Sequence, residues 1–137
     1  MEPKNYGGGM FTYTGISNIK DRLEQCGVSI NTKNATSFDN FYGYSTVLVN
    51  GVDGLDLIKG SSASGLCRGC TSLICAPLKN IYNITNWNNA FLNCPLLTDI
   101  GQESDDFGYF SASVDLSQTA IDFGTEKMSL ASAFALN

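Results

Sequence analysis

The sequence predicts an α/β fold: a short irregular solenoid whose units each hold one short strand and one short helix or turn. A ten-residue phrase, Phe91 to Ile100, has imperfect copies that begin at Met10, Phe41 and Cys67. The starts of successive copies lie 31, 26 and 24 residues apart. A recurring apolar phrase favours stacked units, because each unit can bury its apolar face only against its neighbours.

The apolar positions within the phrase justify the two elements of each unit. They fall at its first, fourth, seventh and tenth residues. The first spacing of three is helical, whereas the later positions hold leucine and β-branched residues typical of a strand. Gly43, Gly69 and Asn93, at the third position, suit a helix end, which commonly needs a left-handed residue. The copy spacing is close to that of leucine-rich repeats, roughly 20 to 29 residues.

Two copies, Arg68 to Leu73 and Phe91 to Leu97, resemble the Phe-x-x-Cys-x-x-Leu phrase of BspA-like leucine-rich repeat proteins. Members of that family occur on gut and oral bacteria and in some parasites, and related repeats occur in phage-encoded proteins. The resemblance covers residues 9 to 102, although the first two copies carry Tyr13 and Tyr44 in place of Cys. It implies a right-handed solenoid that binds macromolecules without chemistry of its own. Family members usually carry many more repeats.

Three regions follow from this pattern: a flexible arm at 1–9, leucine-rich repeats at 10–102, and an atypical C-terminal unit or cap at 103–137. Lys20 to Gly27 predicts a helical turn that ends at glycine. In the C-terminal unit, Val114 and Leu116 alternate as in a strand. Helical spacing then links the apolar residues Met128, Leu130, Ala131, Phe134 and Ala135. Alternatively, Ser132 to Asn137 opens a further phrase, so that the chain is truncated or its end is covered by a second subunit.

Charge narrows the classes of partner. The chain of 137 residues has a net charge of −5 and only 15% charged residues. It contains no run of Lys or Arg, which argues against nucleic acid and anionic membranes as partners. No apolar run is long enough to span a bilayer, and Met1 to Tyr6 shows no signal-peptide pattern. The weakly charged surface, rich in Asn, Ser and Thr, is common in extracellular and virion proteins.

Five cysteines, at positions 26, 67, 70, 75 and 94, have to be assigned. Cys67 and Cys70 could form half of a zinc site or a redox pair, but no second close pair accompanies them. The phrase instead places Cys67 in a column with Phe41 and Phe91. Buried thiols are therefore favoured over a metal site or disulfides, and the odd count also argues against a full disulfide framework.

An enzyme is not expected. The chain has no histidine, which removes Ser-His and Cys-His catalysis and histidine metal ligands. Glu103, Asp105 and Asp106 could serve a carboxylate-based hydrolase, a distant alternative to a solvated loop. The stretch Gly51 to Gly60 offers too few oxygen ligands for calcium. No catalytic, cofactor or metal site is predicted, and no cofactor.

The function predicted from these features is a non-enzymatic protein-interaction module that presents a binding surface on a bacterial cell surface, as an adhesin does. The alternative is a structural or host-recognition component of a phage particle. The expected partner is a protein or cell-surface ligand, with a homo-oligomer as a possibility. Residues between the apolar columns should point outward and make contact, and Trp87 either packs between units or forms a binding platform. The candidate binding residues are Ser17, Asn18, Leu48, Ile74, Trp87 and Thr98.

Overall fold

The computed structural model of the chain describes residues 9–101 and 114–121. It contains one helix, α1 (Ile19–Gln25), two short strands, β1 (Leu55–Asp56) and β2 (Leu78–Lys79), and a 3-10 turn at Ile81–Asn83. The strands pair in parallel, with Leu55 opposite Leu78. The predicted carboxylate cluster, the stripe from Met128 and nearly all of the predicted arm lie outside the described residues.

The predicted solenoid of leucine-rich repeats, with a strand and a helix or turn in each unit, is wrong. The described residues hold a single helix and one pair of two-residue strands, and no solenoid of repeats is evident. The reason lies in the backbone at the start of each phrase. Asn40 and Tyr44 have positive φ, as do Gly65 and Gly69 in the next phrase. Left-handed residues four apart permit neither a regular helix nor a regular strand between them.

Neighbouring phrases are nevertheless joined side by side. Isolated parallel bridges pair Asn18 with Asn50, Asn50 with Cys75, and Cys75 with Asp99. A second series pairs Ser37 with Ser62 and Ser62 with Asn86. The chain is therefore held together by single bridges between distant segments, which satisfy backbone groups that the turns leave unpaired.

The helix α1 confirms the predicted turn at Lys20 to Gly27. Asn18 caps it, since its side-chain oxygen accepts a hydrogen bond of 2.9 Å from the backbone N–H of Asp21. Gly27 follows the helix with a φ of 65° and donates its N–H to the carbonyl of Glu24. Ile19 is buried and anchors the helix to the rest of the molecule.

The core is aromatic near its centre and leaves little free volume. Trp87 stacks on Phe91 with ring centroids 6.1 Å apart, and both are buried. Gly60 lies where a side chain cannot fit, because an added Cβ would come within 2.7 Å of Ile84 Cδ1 and 2.8 Å of Phe38 Cε2. Both of these side chains are fully buried.

Gly60→Ala tests this packing. We expect it to lower the free energy of unfolding by about 1–3 kcal/mol, because the new methyl group overpacks a filled core. Gly15→Ala is the matched control, since its Cβ would meet nothing within 4 Å. The control should leave stability unchanged or raise it by at most about 1 kcal/mol. Urea unfolding measures both, and equal effects would contradict the packing described.

Candidate binding surface

Backbone hydrogen bonds fix which residues of the four phrases correspond. The N–H of Phe11 donates to the carbonyl of Phe41 at 2.7 Å, that of Tyr42 to Leu66 at 2.8 Å, and that of Cys67 to Ala90 at 2.6 Å. The residue that follows each acceptor occupies the same place in its phrase as the donor occupies in the preceding phrase. The corresponding residues are therefore Phe11, Tyr42, Cys67 and Phe91. At the phrase starts, the predicted register is correct for the last two phrases and one residue early in the first two.

Further along the phrases one row of residues crosses all four, and up to that row the first phrase is one residue shorter than the other three. The N–H of Val49 donates to Ser17 O at 2.6 Å, that of Ile74 to Val49 O at 2.9 Å, and that of Thr98 to Ile74 O at 2.9 Å. A second row, two residues earlier, contains Val47, Ser72 and Leu96. We call these two rows the outer face: Ser17, Val47, Val49, Ser72, Ile74, Leu96 and Thr98.

The outer face carries no charged residue, and four of its seven residues are apolar. Between its two rows, the side chains of Leu48, Leu73 and Leu97 are fully buried. The apolar members of the outer face are exposed, with fractions of 47% for Val47, 37% for Val49, 44% for Ile74 and 51% for Leu96. Single exposed apolar residues are ordinary, but neighbouring ones rimmed by polar groups indicate a contact surface. Ser17 and Thr98 supply polar groups at the two ends of one row, whereas Ser72 lies between Val47 and Leu96 in the other.

The predicted site residues divide between this face and the interior. Ser17, Ile74 and Thr98 lie together in one row, and the predicted exposure of Ile74 is confirmed. Asn18 is half-buried and caps α1. The predicted exposure of Leu48 is wrong, because it alternates with the outward Val47 and Val49 and is fully buried.

Trp87 does not form a platform. It is 1% exposed and stacks on Phe91, so the packing interpretation is confirmed and the binding interpretation is wrong. Sequence reasoning also missed Val49, which occupies the place assigned to Leu48. The alternation of Val47, Leu48 and Val49 contained the necessary signal. The one-residue slip, however, placed Val47 in the core and Leu48 on the surface.

Buried side-chain donors connect neighbouring phrases in a separate column. Ser45 Oγ donates to Phe11 O at 2.7 Å. In the same way Cys70 Sγ donates to Tyr42 O at 3.0 Å, and Cys94 Sγ donates to Cys67 O at 2.7 Å. All five cysteines are free thiols, and Cys67, Cys70 and Cys94 are buried as predicted. Among residues 9–101 and 114–121, no three metal-binding side chains come together.

Burial keeps these thiols protonated. It raises the pKa of Cys70 from 9.0 to about 11 and that of Cys94 from 9.0 to about 12. Burial and then the nearby Asp99 carboxylate raise the pKa of the half-buried Cys75 to about 11. The pKa of Cys67 is raised well above 9.0, again mainly by burial. A protonated thiol donates hydrogen bonds but is a poor nucleophile and metal ligand.

Two tyrosines form a second exposed feature, which we call the tyrosine stack. The rings of Tyr13 and Tyr44 are 5.2 Å apart and nearly parallel, at 15°. The guanidinium carbon of Arg68 lies 5.5 Å from the centroid of the Tyr44 ring. Tyr13 is 72% exposed. Sequence analysis placed both tyrosines in the cysteine column, which the register slip explains.

The backbone at these tyrosines is unusual. Tyr13 and Tyr44 have φ values of 56° and 59°, in the left-handed region. The corresponding positions hold Gly69 and Asn93, which are the residue types that adopt this conformation most readily. A left-handed conformation costs about 1–2 kcal/mol for an ordinary residue, and a ring pair returns about 0.5–1.5 kcal/mol. Stability alone therefore does not account for tyrosine at both positions.

Comparison of the chain with protein-family models, with curated proteins and with solved structures finds no match. The resemblance to BspA-like proteins rests on the phrase alone and stays a prediction. Among the described residues, no helix has the length and apolar character needed to cross a bilayer.

The buried thiols make stability sensitive to alkali. The unfolded thiols lose their protons near 9.0, whereas those of Cys70 and Cys94 hold them to about 11 and 12. The folded state therefore binds more protons above pH 9, and its stability falls as the pH rises. We expect a loss of about 1–2 kcal/mol per thiol between pH 9 and about pH 10.5, measured by urea unfolding.

Serine at both positions should reduce this loss, because serine does not ionise in this range and Ser45 already fills the corresponding position. The Cys70→Ser/Cys94→Ser double variant keeps Tyr42, whose pKa is also raised by burial. Its difference from wild type therefore isolates the thiols. Cys26→Ser, at an exposed thiol, is the control and should behave as wild type. Identical pH dependence in wild type and double variant would refute this account.

Proposed function

We propose that this chain is a non-enzymatic binding module that contacts another macromolecule through the outer face. The observation that supports the proposal is the row Ser17, Val49, Ile74 and Thr98, held in register by backbone hydrogen bonds of 2.6 to 2.9 Å. Its exposed apolar side chains gain free energy when a partner removes them from water. Its hydroxyl groups can form hydrogen bonds at the edge of the contact.

The arrangement favours a preorganised contact. The outward side chains of the row belong to four separate segments, so their spacing is set by the bridges between those segments. The buried Leu48, Leu73 and Leu97 hold the same segments from below. Little conformational freedom is then lost when a partner binds, which favours affinity for a given contact area.

The seven residues of the outer face are fewer than the roughly 20–30 that each side of a whole interface uses. A stable protein interface covers about 800 Å² on each partner, and its centre is apolar while its rim is polar. Val49 and Ile74 suit the centre of such a contact, with Leu96 and Val47 beside them. The polar segments around the outer face would supply the rest of the area.

A non-enzymatic role agrees with the chemistry of the side chains. The chain contains no histidine, and burial keeps Cys67, Cys70 and Cys94 protonated. The carboxylates of the alternative hydrolase fall outside the described residues. Location on a bacterial cell surface or in a phage particle depends only on the resemblance and the composition, and stays a prediction.

Val49→Asp tests the outer face, with Val28→Asp as its matched control, because both valines are 37% exposed and Val28 lies outside the face. The exposed Cys26 accepts a fluorescent maleimide. The labelled protein is titrated onto intact gut and oral bacterial cells. We expect saturable binding that Val49→Asp weakens at least about tenfold, because a charge would be buried in the contact. Val28→Asp should bind as wild type.

Equal binding by the two variants would refute the outer face as the contact surface. Absence of binding to all cells would leave self-association, which light scattering after size-exclusion chromatography measures over a range of concentrations. An oligomer abolished by Val49→Asp but kept by Val28→Asp would assign the face to a second copy of the chain, as the structural alternative requires. A monomer at all concentrations, together with no cell binding, would overturn the proposal.

A further inference from the structure

We propose that the tyrosine stack is a second binding site, separate from the outer face, and that the open face of Tyr13 takes a neutral saccharide ring. The proposal goes beyond the macromolecular contact of the outer face and depends on different residues. It rests on the exposure of Tyr13, its stacking on Tyr44, and the conformation of both backbones.

The stack has a closed end and an open end. Tyr13 belongs to the first phrase, Tyr44 to the second and Arg68 to the third, so Tyr13 and Arg68 approach the Tyr44 ring from opposite sides. Tyr44 is therefore covered on both faces. Tyr13 is covered by Tyr44 on one face only and is 72% exposed. A flat, oriented aromatic surface thus remains open to solvent.

The backbone indicates that this surface is selected for something other than folding. Tyr13 and Tyr44 hold φ values of 56° and 59°, where Gly69 and Asn93 fill the corresponding positions of the later phrases. Strained conformations of this kind cluster at ligand sites, where the surrounding structure imposes them. An exposed ring that is kept at an unfavourable backbone position meets that description.

The surroundings of the ring favour a neutral ligand over a cation. The residues that flank Tyr13 are Thr12 and Thr14, and Thr12 Oγ1 donates to Asn40 O at 2.6 Å. Thr14 Oγ1 accepts the N–H of Ile16 at 3.3 Å, so Thr12 Oγ1 can still accept a hydrogen bond and Thr14 Oγ1 can still donate one. Arg68 already places a positive charge at the other end of the stack, which disfavours a second cation.

A saccharide ring matches this combination of groups. One side of a pyranose presents C–H groups, which pack on the electron-rich face of an aromatic ring. Its hydroxyl groups point outward around the edge and can form hydrogen bonds with uncharged hydroxyl side chains such as those of Thr12 and Thr14. A few polar groups around an apolar surface are the usual composition of a small-ligand site.

The test uses Tyr13→Asn and Tyr13→Phe with a panel of neutral hexasaccharides: maltohexaose, cellohexaose, chitohexaose, mannohexaose and a galactan hexamer. Isothermal titration gives the affinity and thermal unfolding gives the Tm. We expect Tyr13→Asn to weaken saccharide binding at least about tenfold while its Tm stays equal or rises, because Asn93 adopts the same conformation. Tyr13→Phe keeps the ring and should keep the affinity within about threefold.

Val49→Asp should leave saccharide binding unchanged, so this proposal can hold or fail independently of the outer face. Absence of binding to every hexasaccharide would overturn it, as would equal affinities for wild type and Tyr13→Asn. A fall in Tm in Tyr13→Asn without a change in affinity would assign the ring to stability. Binding of a lysine- or arginine-rich peptide at Tyr13, in place of the saccharides, would also overturn the proposal and identify a cation site.

Discussion

Hydrogen bonds between chain segments distant in sequence hold this protein together, because its described residues form so little regular structure. Buried backbone groups have to be paired, and here the pairs run between neighbouring phrases, as in the series Asn18, Asn50, Cys75 and Asp99. Ser45, Cys70 and Cys94 extend the same principle to side chains by donating to carbonyl groups of the adjoining phrase. Each segment is therefore stable only in the presence of its neighbours.

This dependence explains which parts of the fold could be predicted. The last two phrases share the spacing Cys-x-x-Leu, at Cys70 to Leu73 and Cys94 to Leu97, which fixes their register, and their columns and buried thiols were predicted correctly. The first two phrases begin with pairs of apolar residues, Met10 with Phe11 and Phe41 with Tyr42, so two registers fit equally well. A slip of one residue exchanges inward and outward positions, as Leu48 and its two neighbours show.

The failure of the predicted solenoid has a different cause. Apolar spacing alone cannot reveal where the backbone turns into the left-handed region. Glycine and asparagine signal such turns, and Gly69 and Asn93 gave that signal. Tyr13 and Tyr44 adopt the same conformation with a side chain that normally avoids it, so nothing in the sequence indicated the turns there. The elements called helix and strand were consequently irregular turns joined by bridges.

The same tyrosines show where folding and binding make different demands on this chain. At the corresponding positions the later phrases carry residues suited to the backbone, whereas the earlier phrases carry large rings that the backbone disfavours. Local preference and global fold usually agree in natural sequences, and disagreement concentrates at functional sites. The outer face contains no such conflict, since none of its residues has a positive φ. The framework therefore presents the outer face without backbone strain. The tyrosine stack, in contrast, requires a left-handed backbone, which the bridged segments around it impose.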